Sequence, residues 1–260
     1  MKKETKNGII TGLVTGGLLL GAASSCRDGR KFLQGKTKDQ AKLEIILEDI
    51  QDPAIKGKLA YNGLKNGITL DSSYLDEGYM KVHLNNLFST TPYEKLLDLG
   101  EELRSVGGNI NDEPFRQQFY YWTINSFIEI GRETTDLSAK IDAFLISARL
   151  TEDAKLTHSK ELYNEVLLLG DKYDNPRPGF WIPIAEKVQD NDRLKKYLTL
   201  GIEQADRDKD YKTMHNYAMR FPDIRKKEDY LKTALLLASD KDDLIMAERI
   251  SHDLRTLPKK

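Results

Sequence analysis

The chain has 260 residues, with 40 Lys and Arg against 41 Asp and Glu, a net charge of −1, and a single cysteine. A balance this close to neutral supplies no concentrated basic field for nucleic acid. One thiol cannot form an internal disulfide, so an exported form must take its stability from a hydrophobic core.

The opening MKKETKNG carries three lysines and one glutamate, and Ile9 to Ala23 is uncharged. A basic lead, an apolar run and small residues before a cleavage point describe a secretory signal peptide. Here the small residues Ala22, Ala23, Ser24 and Ser25 end on the lone Cys26. The run LGAASSC resembles the lipobox of prokaryotic lipoproteins, with Ala23 standing where leucine is usual. That resemblance implies that Cys26 receives a diacylglycerol group and becomes residue one of the mature chain. It also implies two or three acyl chains, enough for stable anchoring where a single chain is marginal. Two other readings stay open. In one, the segment is an ordinary signal peptide and Cys26 is incidental.

In the other, the segment is uncleaved and spans a membrane. Gly8, Gly12 and Gly16 recur every four residues and Gly17 and Gly21 repeat the interval, the small-residue spacing that lets membrane helices approach closely. Lys2, Lys3 and Lys6 precede the run and Arg27, Arg30 and Lys31 follow it, so flanking charge does not orient it. Without residues 1–25 the chain has 37 basic and 40 acidic side chains, still near neutral. Residues 26–37 then read as a polar tether.

From residue 38 the charged content and low proline count favour helix. KDQAKLEIILEDI places Ala41, Leu43, Ile45, Ile46 and Ile50 as an apolar stripe. Pro53 suits a first helical turn, and the second helix is expected to stop near Lys65. Helices follow in DSSYLDEGYMKVHLNNLF and TPYEKLLDLGEELRSV, closing an N-terminal group over 38–106. GGNINDEP, residues 107–114, reads as a loop. Beyond it, Phe115, Phe119 and Trp122 share one helix face, the pattern of a core stripe.

The remainder, 113–257, reads as a continuous series. Helices are expected near 138–149, 153–172, 179–189, 192–206, 210–221, 226–239 and 242–255, joined by acidic turns that supply N-caps. Tyr197-Leu198 aligns with Tyr230-Leu231, Asp210 with Asp243, Tyr211 with Leu244 and Met214 with Ala247, each 33 residues apart. Such a period with two helices per copy marks an α-solenoid. ALLLASDKDDLIMAERI looks like a tetratricopeptide-type hairpin, although Gly201 and the prolines do not keep that consensus from copy to copy. The expected fold is all-α, with antiparallel helix pairs stacked as a tetratricopeptide-like solenoid. An irregular helical bundle is the alternative.

Chemistry is sparse. Asp206, Asp208 and Asp210 open like a calcium loop, but Tyr211 and Tyr217 occupy the positions that need glycine and glutamate. The four histidines lack metal spacing, and no phosphate loop or nucleophile elbow is present. No catalytic residue, metal or cofactor is therefore expected. In DNPRPGFWIP, residues 174–183, Arg177, Phe180 and Trp181 form the one candidate partner contact, because Trp and Arg are enriched at interface hot spots.

The expectation is a membrane-tethered helical-repeat lipoprotein that serves as a protein-interaction scaffold or assembly factor in the cell envelope, loosely similar to tetratricopeptide lipoproteins. Its partners would be a protein or peptide and, through the N-terminal lipid or anchor, a membrane. The alternatives are an envelope enzyme acting on glycan with carboxylates in a helical groove, and a structural protein held by the uncleaved glycine-rich anchor.

Overall fold

A computed structural model describes residues 37–172 and 177–258. Cys26 and the glycines at 8, 12, 16, 17 and 21 lie outside the described residues. Among those described, twelve α-helices form the chain and the only sheet-like pairing is a parallel bridge between Leu70 and Ile110. The all-α class expected from composition is what the chain adopts.

The described chain divides into two compact units, one ending at Glu129 and one beginning at Ile130. In the first unit lie α1 (Lys38–Asp49), α2 (Pro53–Lys65), α3 (Glu77–Thr90) and α4 (Leu96–Gly108), with 3-10 turns at Ser72–Tyr74 and Tyr93–Lys95. The division falls within α5 (Glu113–Glu133). Two stretches read as continuous helices are interrupted. Asp76 accepts a hydrogen bond from the Tyr79 amide and starts α3 there, after the 3-10 turn. Pro92 similarly delays α4 behind a second 3-10 turn. The expected loop at 107–114 is shorter than its glycines suggested, since Gly107 and Gly108 finish α4.

Helix α2 is the centre of the first unit, packing against α1, α3 and α4. Backbone bonds from Leu70 to Asn109 and from Asn111 to Leu70 clip its following loop to the end of α4. Of the aromatic stripe on α5, Phe119 is fully buried, while Phe115 and Trp122 are half-buried and meet edge to face.

The second unit contains α6 (Leu137–Asp153), α7 (Ser159–Gly170), α8 (Pro178–Val188), α9 (Asn191–Arg207), α10 (Tyr211–Arg220), α11 (Ile224–Asp240) and α12 (Leu244–Thr256). From α7 to α12, each helix packs on the one before it. The acidic turn expected between the helices at 138–149 and 153–172, in the run LTED at 150–153, is instead the last turn of α6. Its Thr151 is buried and donates to the Ser147 carbonyl, and Glu152 accepts from the Tyr163 hydroxyl. The turn follows at 154–158.

Aspartates begin five of the seven helices here. Asp136, Asp190, Asp210, Asp223 and Asp243 each accept from amides of the first turn. Such caps contribute about 1 kcal/mol each by satisfying otherwise orphaned donors. Lys155, Gln189, Lys209 and Asp242 adopt left-handed backbone at the tight turns, with φ of 55°, 65°, 53° and 54°.

A register of 33 residues links the last two pairs. α9 begins at Asn191 and α11 at Ile224, both 17 residues long, and α10 and α12 begin at Tyr211 and Leu244. Ion pairs add a second order of contact by joining alternate helices. Glu152 of α6 pairs with Lys187 of α8, and Glu186 of α8 with Arg220 of α10 at 2.5 Å; a hydrogen bond of 2.7 Å likewise joins Asp253 of α12 to the His215 ring of α10.

Candidate interaction surface

The residues singled out around 177–181 sit at the start of α8. Arg177 is exposed, Phe180 is half-buried and Trp181 is 3% exposed. The Trp181 indole fills the space over Gly170 of α7, where an added Cβ would lie 2.6 Å from its ring. It also stacks on Tyr197 of α9, with centroids 6.0 Å apart. Trp181 thus ties α7, α8 and α9 together, and Arg177 with one side of Phe180 is the part of the trio that meets solvent. Beside them, Asp171 holds Arg193 at 2.7 Å and Lys196 at 3.5 Å. The hydrogen bond from Arg193 is the largest cause keeping the Asp171 carboxyl below its ordinary value.

A second grouping lies in the first unit. The Tyr61 hydroxyl donates to Glu102 at 2.8 Å, and Lys65 reaches the other carboxylate oxygen at 2.6 Å. Burial, reinforced by Glu102, raises the Tyr61 hydroxyl far above the ordinary tyrosine value and keeps it a neutral donor. The His83 ring packs edge-on to Tyr61 and stacks with Tyr79, and its buried Nε2 has no hydrogen-bond partner among the described residues. Burial lowers the His83 pKa, which favours the neutral ring. Half-buried Asp142 of α6 is displaced in the other sense, to about 6, first by desolvation and then by Asp136.

Asp206, Asp208 and Asp210, the abortive calcium sequence, end α9 and cap α10; the Asp210 carboxylate accepts from the Thr213 amide at 3.0 Å. Among the described residues no group of three or more His, Cys, Asp or Glu is placed to hold a metal ion, and no helix is long and apolar enough to cross a membrane.

A groove of about 740 Å³ lies at one end of the last helix pair. Because α11 and α12 run antiparallel, the start of one and the end of the other meet there. Ile224, Leu254, Leu257 and Pro258 give it apolar walls, while Arg225, Glu228 and Arg255 stand around them. Glu228 is taken by Lys232 at 2.6 Å, and the Arg255 Nε donates to the Ser251 carbonyl of its own helix. The Arg225 guanidinium has no carboxylate partner among the described residues. Aliphatic walls under two guanidinium groups suit an apolar side chain that carries a carboxylate close by.

Sequence inspection did not find this groove. The usable signal was the 33-residue register, which places Leu254 at the position of buried Phe221. Comparison of the chain with known protein families, with curated proteins and with solved structures returned no match.

Proposed function

We infer that the chain is a membrane-tethered helical-repeat lipoprotein that binds a protein partner, as a scaffold or assembly factor in the cell envelope. The observation that carries this reading is the open, mixed apolar and basic groove at the end of a series of helix pairs. Stacked helix pairs build extended surfaces that take peptides or helices, and such a groove accepts a folded or extended segment more readily than a small molecule. The lipobox-like LGAASSC run supplies the tether: acylation at Cys26 holds the chain at a bilayer, and the helical units need no lipid-binding surface of their own.

Two measurements test this. Intact mass of the membrane fraction is expected to give a chain that begins at acylated Cys26, and a Cys26→Ala variant is expected to lose that modification. Affinity capture of the full chain from detergent-solubilised envelope is expected to retain a protein that an Arg225→Glu, Arg255→Glu variant releases. A full-length chain with Met1 and a free thiol, found in the soluble fraction, removes the tether; equal capture by the variant removes the groove.

A further inference from the structure

Among the described residues, the three large hydrophobic side chains that stand furthest into solvent are Ile245 at 85%, Leu244 at 76% and Leu236 at 66%. All three flank the turn at 241–243, at the opposite end of the last pair from the groove. The 33-residue register shows what their neighbourhood does elsewhere. On α10 the stripe Tyr211, His215, Ala218 and Phe221 is covered. Tyr211 donates to Asp243 at 2.9 Å, His215 meets Asp253 at 2.7 Å, and Ala218 and Phe221 are buried. Asp243 and Asp253 belong to the last pair, and the Phe221 ring meets Tyr230 of α11 edge to face.

The matching stripe on α12 is Leu244, Glu248, Ser251 and Leu254. Leu244 and Glu248 are exposed, and Ser251 and Leu254 are half-buried. Leu254 opens into the groove that carries Arg225 and Arg255. Outer faces of repeat arrays are ordinarily polar where they meet solvent, whereas on α12 Leu244 and Ile245 stand exposed. The open face is therefore amphipathic along its whole length. It is cationic at the end of α12, apolar at the start, and acidic between them at Glu248. Thirteen residues of α12 make it about 20 Å long at 1.5 Å per residue.

We propose that this face seats one amphipathic helix of a partner protein, lying antiparallel to α12 in the place a further helix of the register would take. The charges fix its polarity. Its first turn carries carboxylates that face Arg225 and Arg255, where its helix dipole also favours negative charge. Its apolar stripe covers Leu254 at one end and Leu244 at the other, with Ile245 at the margin of the seat. A basic residue meets Glu248. This names the partner class for the scaffold reading but does not depend on the lipid tether, so the acylation measurement and the one below fail separately.

The test uses the full chain in detergent and three synthetic 17-residue peptides, read by fluorescence anisotropy. One has Leu at i, i+3, i+4 and i+7 with an acidic first turn, one has the same stripe with a basic first turn, and one is a scramble without periodicity. The acidic-start peptide is expected to bind best. Leu244→Glu with Ile245→Glu is expected to weaken it about tenfold or more, because the Leu244 anchor is lost and two carboxylates enter at that end of the seat. Arg225→Glu with Arg255→Glu is expected to invert the preference to the basic-start peptide. Both pairs alter exposed or rim positions, and an unchanged far-UV spectrum and melting temperature confirm the fold.

Equal binding of the scramble, or binding insensitive to both variants, overturns the proposal. So does concentration-dependent self-association that Leu244→Glu with Ile245→Glu abolishes, which would make a second copy the occupant. Flotation with anionic phosphatidylglycerol vesicles that the same variant loses would make a lipid surface the occupant and overturn it as well.

Discussion

The pairs α9–α10 and α11–α12 share a register and differ in how they fill it. Asp190 and Asp223 cap the first helices, Asp210 and Asp243 the second, and Lys209 and Asp242 hold the same left-handed turn. Leu198 and Leu231 are both fully buried. The fillings diverge one turn further on. Gly201 lies against the Tyr217 ring, where a Cβ would come within 2.7 Å, and the corresponding residues of the last pair are Ala234 and Ile250. The architecture is thus set by caps, turns and one leucine layer. At these positions one pair sets glycine against an aromatic ring and the other carries buried alanine and isoleucine.

The largest test of that equivalence is truncation of the shared layer. Leu198→Ala and Leu231→Ala are each expected to cost about 2–5 kcal/mol in urea unfolding, the range for buried leucines that leave cavities. A large inequality between them would break the register as an energetic description. Next comes Gly201→Ala, expected to cost about 1–3 kcal/mol because the added methyl meets the Tyr217 ring. In a Tyr217→Ile background the same substitution is expected to cost less, since the last pair carries alanine and isoleucine at these positions.

Asp210→Ala is expected to cost about 1 kcal/mol through its lost cap. Asp243→Ala is expected to lower the melting temperature further than Asp210→Ala does, because Asp243 also accepts from Tyr211 and attracts Lys212. The amide of Met246 and then the Tyr211 hydroxyl hold its carboxyl below the ordinary value, so this difference is expected to fade as acid protonates Asp243. Arg220→Ala comes last. Its bidentate pair with Glu186 is partly exposed, at 29% and 38%, and screening limits the loss to about 0.5 kcal/mol.

How much of this was legible in the sequence follows the same division. The apolar periodicity and the aspartate caps placed α2, α9 and α10 almost to the residue, and the pairing of Asp210 with Asp243 and Tyr211 with Leu244 was visible at a spacing of 33. Local signals failed where a distant partner decided the outcome. LTED reads as a turn until Tyr163 and Lys187 take up Glu152 and let α6 run on. Trp181 beside Arg177 reads as a contact until Gly170 is seen opposite, making room for the indole. The groove depends on the start of α11 meeting the end of α12, some thirty residues apart, and composition carries no trace of that meeting.

The matched turns after Arg207 and Asp240 have one more consequence. A chain that leaves a left-handed residue into an aspartate cap, and reaches another such residue and cap 33 residues later, begins and ends each module on the same local geometry. An in-frame tandem copy of residues 211–243 would therefore splice in without a new junction. Lengthening by duplication, rather than by residue-by-residue redesign, is the route of change this geometry leaves open.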